Sequence, residues 1–337
     1  MRRPSAFRRG AAVLTLGIAV ALSGAPAAHA IPEPATAYVE GMEEISPQHW
    51  RVQVYSPAMD TVVPLDVLRP ADTSESRPVV YALGGAGVGV IPGTGWMESS
   101  DIEEFFADKN VNVVVPATGN FSYFTDWAAD DPTLGRNRWQ TFLLEELPPV
   151  VDELLDANGI QSIIGMSMSA GSALDLAIHG GDLYSGVASF SGCVRTSDPL
   201  GQQYVKLVVE LRGKGDVLNM WGPTSDPRWA EHDVYLNAER LRGKALYLTS
   251  RNGLPGPYDV PGQERVAGES FATQIVAGGA IEAATLQCTQ QLAERLDSLD
   301  IPFTAELGAP GTHSWGYWED DLRNAWPILA ESMDIDE

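Results

Sequence analysis

The segment Ile164-Gly165-Met166-Ser167-Met168-Ser169 sets a serine two residues past the glycine near the end of an apolar run, and a small-residue stretch follows at once. A strand, a tight turn and a helix in that order form the context of a nucleophile elbow. The turn lifts the Ser167 hydroxyl off the sheet edge and onto a helix N-terminus, whose free amides favour a developing anion. The Met168 N–H, directly after the serine, is then one donor to such an anion. Ser169 stands where the motif normally has glycine and is small enough to be tolerated. The rival reading is an ordinary helix-capping serine.

A serine nucleophile needs a base, and histidine is the usual one. Beyond residue 30 the chain has His49, His179, His232 and His313. His49 precedes the first core strand. His179 ends the helix after Ser167, where it suits a C-terminal cap. His232 lies between Glu231 and Asp233 and reads as a solvated surface residue. His313, in Pro310-Gly311-Thr312-His313-Ser314-Trp315, follows the last strand in a glycine loop and is the base by position. The acid must fall between Ser167 and His313. Asp259, Glu264, Glu269 and Glu282 all qualify, and pattern alone favours Asp259. A second oxyanion amide should come from Gly84-Gly85-Ala86-Gly87-Val88-Gly89. That run lacks the spacing of a dinucleotide loop and the lysine of a P-loop. No H-x-x-x-H, EF-hand or C-x-x-C pattern occurs, so nothing argues for a metal or other cofactor.

These groups need a rigid frame. Trp50–Tyr55 and Val62–Leu68 alternate as strands around a short turn. Apolar strands at Val79–Leu83, Val111–Val115, Gln161–Gly165, Gly186–Phe190, Ala245–Thr249 and Pro302–Leu307 follow. Helical patterns separate several of them: Ile102–Phe106, a stripe from Trp139 to Leu155 interrupted by Pro148-Pro149, Ala170–Ile178, and a face from Ile281 to Leu299. Such interleaving implies an α/β fold with a mostly parallel central sheet and helices on both faces. Residues 31–47 read as an irregular lead-in, and no composition shift divides 31–337 into more than one domain.

The chain has 337 residues, 44% hydrophobic and 20% charged, which excludes coiled coil and wholesale disorder. Its 45 Asp+Glu against 22 Lys+Arg give a net charge of -23, so nucleic acid is an unsuitable partner. Residues 1–30 read as a secretory signal peptide: basic Arg2, Arg3, Arg8 and Arg9, an apolar Ala11–Ala25, and Ala28-His29-Ala30 as the cleavage site. No later stretch could span a bilayer as a helix, which implies a protein exported to the cell envelope or beyond. In that oxidising setting the two cysteines, Cys193 and Cys288, suggest a disulfide tethering the Glu282 helix to the sheet.

The residues resemble the antigen 85-like mycolyltransferases, exported enzymes of α/β-hydrolase fold. The resemblance runs from about Val52 to Leu322. It rests on Tyr55-Ser56-Pro57-Ala58-Met59, Phe121-Ser122-Tyr123-Phe124-Thr125-Asp126-Trp127, Trp139-Gln140-Thr141-Phe142-Leu143, Glu146-Leu147-Pro148 and Gly165-Met166-Ser167-Met168. Met220-Trp221-Gly222-Pro223-Thr224-Ser225-Asp226-Pro227 and Gly311-Thr312-His313-Ser314-Trp315 are its most specific blocks. It implies Ser167 as nucleophile, His313 as base, Glu282 rather than Asp259 as acid, and Ala86 as the second oxyanion amide. The positions that grip trehalose in sugar-using members fall on Gly84 and Gly87, which weakens trehalose recognition here.

The implied reaction moves a mycolyl chain from trehalose monomycolate through an acyl-serine to a hydroxyl acceptor: trehalose, arabinan or a protein serine. Tyr123, Phe124, Trp127 and Trp315 are the aromatic residues expected to line the substrate trough. A secreted carboxylesterase would use the same catalytic residues. A non-catalytic wall- or matrix-binding protein would not need them.

Overall fold

Consecutive apolar residues, such as Val79, Val80, Tyr81, Ala82 and Leu83, form a strand buried on both faces. Alternate side chains serve different cores. Val79, Tyr81 and Leu83 pack in one cluster with Ile163 and Leu174, whereas Val80 and Ala82 pack in another with Ile164, Trp318 and Trp326. The computed structural model describes residue 1, residues 36–262 and residues 270–335. The signal-peptide reading and the candidate acids Glu264 and Glu269 lie outside the described residues.

The strands are β1 (Tyr38–Ser46), β2 (His49–Ser56), β3 (Thr61–Leu68), β4 (Arg77–Leu83), β5 (Asn112–Pro116), β6 (Ala157–Met166), β7 (Tyr184–Phe190), β8 (Ala245–Ser250) and β9 (Thr304–Leu307). They form one sheet in the order β1-β2-β3-β5-β4-β6-β7-β8-β9. The pairs β1–β2, β2–β3 and β3–β5 are antiparallel, and every other pair is parallel. The mostly parallel sheet is therefore as the sequence indicates, with β4 at its centre and β6 beside it. β1 corrects the reading of residues 31–47 as irregular. It pairs with β2 at the sheet edge, and with Glu40, Glu43 and Glu44 exposed it has no apolar alternation to betray it.

Five helices matter for the site: α1 (Leu147–Leu155), α2 (Met168–His179), α3 (Pro199–Lys206), α4 (Gly279–Ser298) and α5 (Trp315–Ser332). Pro148 and Pro149 open α1 rather than break it, because the first turn of a helix has no intrahelical use for their missing N–H groups. α3 continues as a wider-turned segment, Leu207–Arg212. Among the described residues no helix is long and apolar enough to cross a membrane.

Candidate active site

β6 ends at Met166 and α2 begins at Met168, which leaves Ser167 to make the whole turn. It does so at φ 56° and ψ -120°, a strained conformation for a non-glycine residue. Gly165 is required there, because a Cβ on it would stand 2.1 Å from the Ser169 carbonyl oxygen. Ser169 takes the place of the usual glycine by bonding inward. Its hydroxyl accepts from the Met166 N–H at 2.9 Å and has the Leu83 and Met166 carbonyls as acceptors at 3.0 Å. The Ser167 N–H is held by the Phe190 carbonyl at 2.9 Å, which ties the turn to β7.

His313 reaches the serine from the loop between β9 and α5. Its Nε2 lies 2.8 Å from Ser167 Oγ, and its Nδ1 lies 2.8 Å from Glu282 Oε2. The geometry suits a serine hydroxyl donating to Nε2 and an Nδ1–H donating to the carboxylate. Glu282, in the first turn of α4, is fully buried. Its Oε1 accepts from Ser191 Oγ at 2.7 Å, Ser250 Oγ at 3.1 Å and the Arg251 N–H at 2.6 Å. A carboxylate held from four directions can present only one edge to His313. Behind it, Asp321 receives Thr249 Oγ1 at 2.9 Å and pairs with the Arg251 guanidinium. Burial pushes Asp321 up to about 7, with the nearby Glu282 charge acting the same way, against the pull of Arg251 and Thr249.

Asp259 does not touch His313. It accepts from Thr312 Oγ1, Tyr317 Oη, Gln274 Nε2 and the Gly256 N–H, and so anchors the loop that carries the histidine. Burial raises its pKa, but these hydrogen bonds outweigh burial and hold it below the usual carboxylate value.

The remaining histidines sit elsewhere. His49 Nε2 lies 2.8 Å from Asp66 Oδ1. His232 corrects the solvated-surface reading: it is 7% exposed, its Nδ1 is 2.8 Å from Asp175 Oδ2, and its ring stacks on Trp221 at 4.9 Å. His179 also faces Asp175, whose hydrogen bond raises the imidazole's pKa. The donor atoms of Asp175, His179 and His232 all lie within 4.8 Å of one another. His232 Nδ1 bonds the Asp175 carboxylate, and His179 Nδ1 lies 2.9 Å from the Asp175 backbone carbonyl.

Two cavities meet at Ser167. One, of about 300 Å³, is bordered by Gly87, Thr94, Gln274 and Trp315. The other, of about 360 Å³, is largely aliphatic, with Val205, Val208, Ile281 and Ala284 in its wall and Tyr123 beside them. Ala86 and His313 border both, and Met168 borders the second. Met168 is the first residue of α2, so its N–H has no intrahelical acceptor. Trp315 and Tyr123 thus stand at the cavities, whereas Phe124 and Trp127 do not. Both are 1% exposed. Phe124 packs edge-on to Trp139, and Trp127 donates its indole N–H to the Ser122 carbonyl. Their apolar mass is used in the core, which corrects their placement in the trough.

Cys193 and Cys288 form a disulfide, with Cα atoms 5.0 Å apart. It joins the chain after β7 to α4, the helix that carries Glu282. Position-by-position sequence reading missed Arg212, which borders both cavities. It lies in a segment with no motif.

Comparison with known proteins adds a lineage to this geometry. A family model described as "Putative esterase" matches residues 56–329. The diacylglycerol acyltransferase/mycolyltransferase Ag85C of Mycobacterium avium is 28% identical, over 98% of this chain and 88% of its own. Its counterpart Ag85A of Mycobacterium leprae is 28% identical over 71% of each chain. The crystal structure of Mycobacterium tuberculosis MPT51 (FbpC1) superposes with a TM-score of 0.70 at 22% identity, covering 86% of this chain and all of that one (100%). An S-formylglutathione hydrolase from Agrobacterium tumefaciens gives a TM-score of 0.62 at 15% identity over 88% and 99% of the two chains. The last two likenesses concern the fold alone, which is that of α/β-hydrolases.

Proposed function

The chain belongs to the esterase family, and from that premise we propose that it is an exported serine acyltransferase. In this reading it moves a mycolyl chain from trehalose monomycolate to a hydroxyl acceptor of the cell envelope. The observation that carries the proposal is the unbroken line Glu282–His313–Ser167, ending where an aliphatic cavity and a second, more open cavity meet. Relatives named as mycolyltransferases, at 28% identity, support the acyl class. The disulfide supports export, since such bonds persist in oxidising compartments.

The cycle has two halves. His313 Nε2 takes the Ser167 proton as Oγ attacks the donor's ester carbonyl. The N–H groups of Ala86 and Met168 face the charge that develops on the carbonyl oxygen. The C–O bond to the sugar breaks, and the departing alkoxide leaves with the proton from His313. The acyl chain, now an ester of Ser167, occupies the aliphatic cavity. An acceptor hydroxyl in the other cavity gives its proton to His313 and attacks the acyl-serine, and the proton returns to Ser167. Glu282 holds the imidazole in one tautomer and stabilises its cationic form. Water in the acceptor's place gives hydrolysis, so occupancy of the second cavity decides the outcome.

Free trehalose is a poor acceptor in this reading. A Cβ at Gly84 would stand 2.8 Å from Val88 Cγ2 and one at Gly87 2.8 Å from Ile91 Cδ1, so a sugar-gripping pair would need those side chains to move. The test is mass spectrometry of products from trehalose monomycolate with and without trehalose or arabinan. Mycolylated arabinan is the expected product. Release of free mycolic acid alone would make the protein an esterase.

A further inference from the structure

Among the described residues, the walls of the two cavities at Ser167 contain no carboxylate. Chance does not favour this in a chain with 45 Asp+Glu against 22 Lys+Arg. Besides His313, the charged residues among the described ones that border the cavities are Arg195 and Arg212. Arg195 is fully engaged. It donates to Gln291 Oε1 at 3.0 Å, faces Asp198 Oδ2 at 3.1 Å and lies 4.6 Å from the Tyr235 ring centroid. Arg212 is different. It is exposed and makes no side-chain hydrogen bond, ion pair or ring contact with another described residue.

Its backbone is nevertheless fixed. Arg212 ends the segment Leu207–Arg212, and the Gly213 and Gly215 N–H groups close that end on the Val208 and Val209 carbonyls, each at 2.9 Å. Arg212 borders both cavities, as does Ile281, and no acid is among the described residues that line them. A guanidinium offers five donors in a planar fork, shaped for the two oxygens of a carboxylate or phosphate. In an acidic protein, a cation without a partner at a cleft whose described lining holds no carboxylate is a local attractor for anions.

We propose that Arg212 makes the acceptor side of the site anion-selective. The preferred acceptor carries a phosphate or carboxylate near the hydroxyl that is acylated, and Arg212 holds that group while His313 activates the hydroxyl. This rests on the acyl-serine reading above and adds the chemical class of the acceptor to it.

The test uses 4-nitrophenyl butanoate as donor and three matched acceptors: glucose, glucose 6-phosphate and glucuronate. Acylated product is quantified by mass spectrometry, and kcat/KM for each acceptor is expressed relative to glucose. The wild-type protein should favour at least one anionic acceptor by about tenfold, the lower end of what a charge-assisted hydrogen bond supplies. The preference should shrink as salt is raised. Preference for glucose 6-phosphate alone, or glucuronate alone, identifies the anion. Arg212→Gln should bring the ratio to about one, and Arg212→Lys should keep part of it, because a lysine retains charge without the fork. A ratio is independent of the fraction of folded protein, so partial misfolding cannot mimic the effect. Equal use of all three acceptors by the wild type, or an unchanged ratio in Arg212→Gln, overturns the proposal. Failure of the underlying reading looks different: Ser167→Ala would then release nitrophenol as fast as the wild type.

Discussion

Thr312 donates its hydroxyl to Asp259 at 2.5 Å, one residue ahead of His313. Asp259 thereby fixes the loop carrying His313 without contacting the imidazole, while Glu282 contacts it directly. The pattern-based preference for Asp259 as acid and the resemblance-based assignment of Glu282 thus fall on two carboxylates that both serve His313, one through the loop and one through the ring.

Asp259→Asn should therefore be costly. An amide nitrogen must replace one of two oxygens that each face donors, leaving a buried donor unpaired at about 1–3 kcal/mol. We expect a lower Tm and a kcat lower by about tenfold, with KM less changed. Rates should be normalised to the acyl-serine burst, which counts only competent sites. A normalised kcat equal to wild type would reduce Asp259 to a purely stabilising role.

Glu282→Gln tests the other carboxylate. Gln must turn its amide nitrogen either toward His313 Nδ1, which needs an acceptor, or toward the Ser191, Ser250 and Arg251 donors. Turnover should fall by about 10³–10⁴, below the loss in Ser167→Ala or His313→Ala. A Glu282→Gln variant with near-normal kcat would remove the carboxylate from the mechanism.

The Cys193–Cys288 bridge closes a loop of 95 residues and should stabilise by about 4–5 kcal/mol in the chain-entropy model. Glu282 lies less than two turns upstream of Cys288 on α4. The double variant Cys193→Ala/Cys288→Ala should lose both Tm and turnover, the latter through looser placement of Glu282. Denaturation midpoints together with burst-normalised rates separate the two effects. Full activity at reduced Tm would show that the bridge serves stability only.

Stability should fall from about pH 5 to pH 8. The raised pKa of Asp321 means that the folded state keeps a proton that the unfolded chain releases above its ordinary value near 4. Each step up in pH toward about 7 then favours unfolding. His179 acts in the same direction: its raised pKa contributes stability that is present below about 6.5 and lost as pH rises through the folded value. Scanning calorimetry across this range should show a declining Tm, and Asp321→Asn should flatten the decline while changing Tm least at pH 5, where the Asp321 carboxyl is already neutral in the folded state. An unchanged slope in Asp321→Asn would assign the decline elsewhere.

The parts of the fold legible in the sequence were those with a strong apolar period. The interior strands announce themselves through runs such as Val79–Leu83, and Gly165-Met166-Ser167 marks the elbow through steric need. β1 was illegible because both of its faces are largely solvated. His232 was misread for a different reason. Its neighbours Glu231 and Asp233 suggest solvent, whereas its partner Asp175 lies far away in sequence. A signal did exist, since Asp175 interrupts the apolar run Ala173–Ile178 and a buried carboxylate there needs a partner. Phe124 and Trp127 show the limit of residue type: an aromatic suits a core as well as a trough, and only packing distinguishes them.

The central claim is that turnover passes through an acyl group on Ser167. The most direct measurement is to mix the protein with 4-nitrophenyl butanoate, quench in acid within the first turnovers, and map the mass increase by peptide mass spectrometry. The account predicts one butanoyl group on the peptide containing Ser167, lost on chase with acceptor and absent in Ser167→Ala. An adduct on another residue, or turnover undiminished in Ser167→Ala, would contradict it.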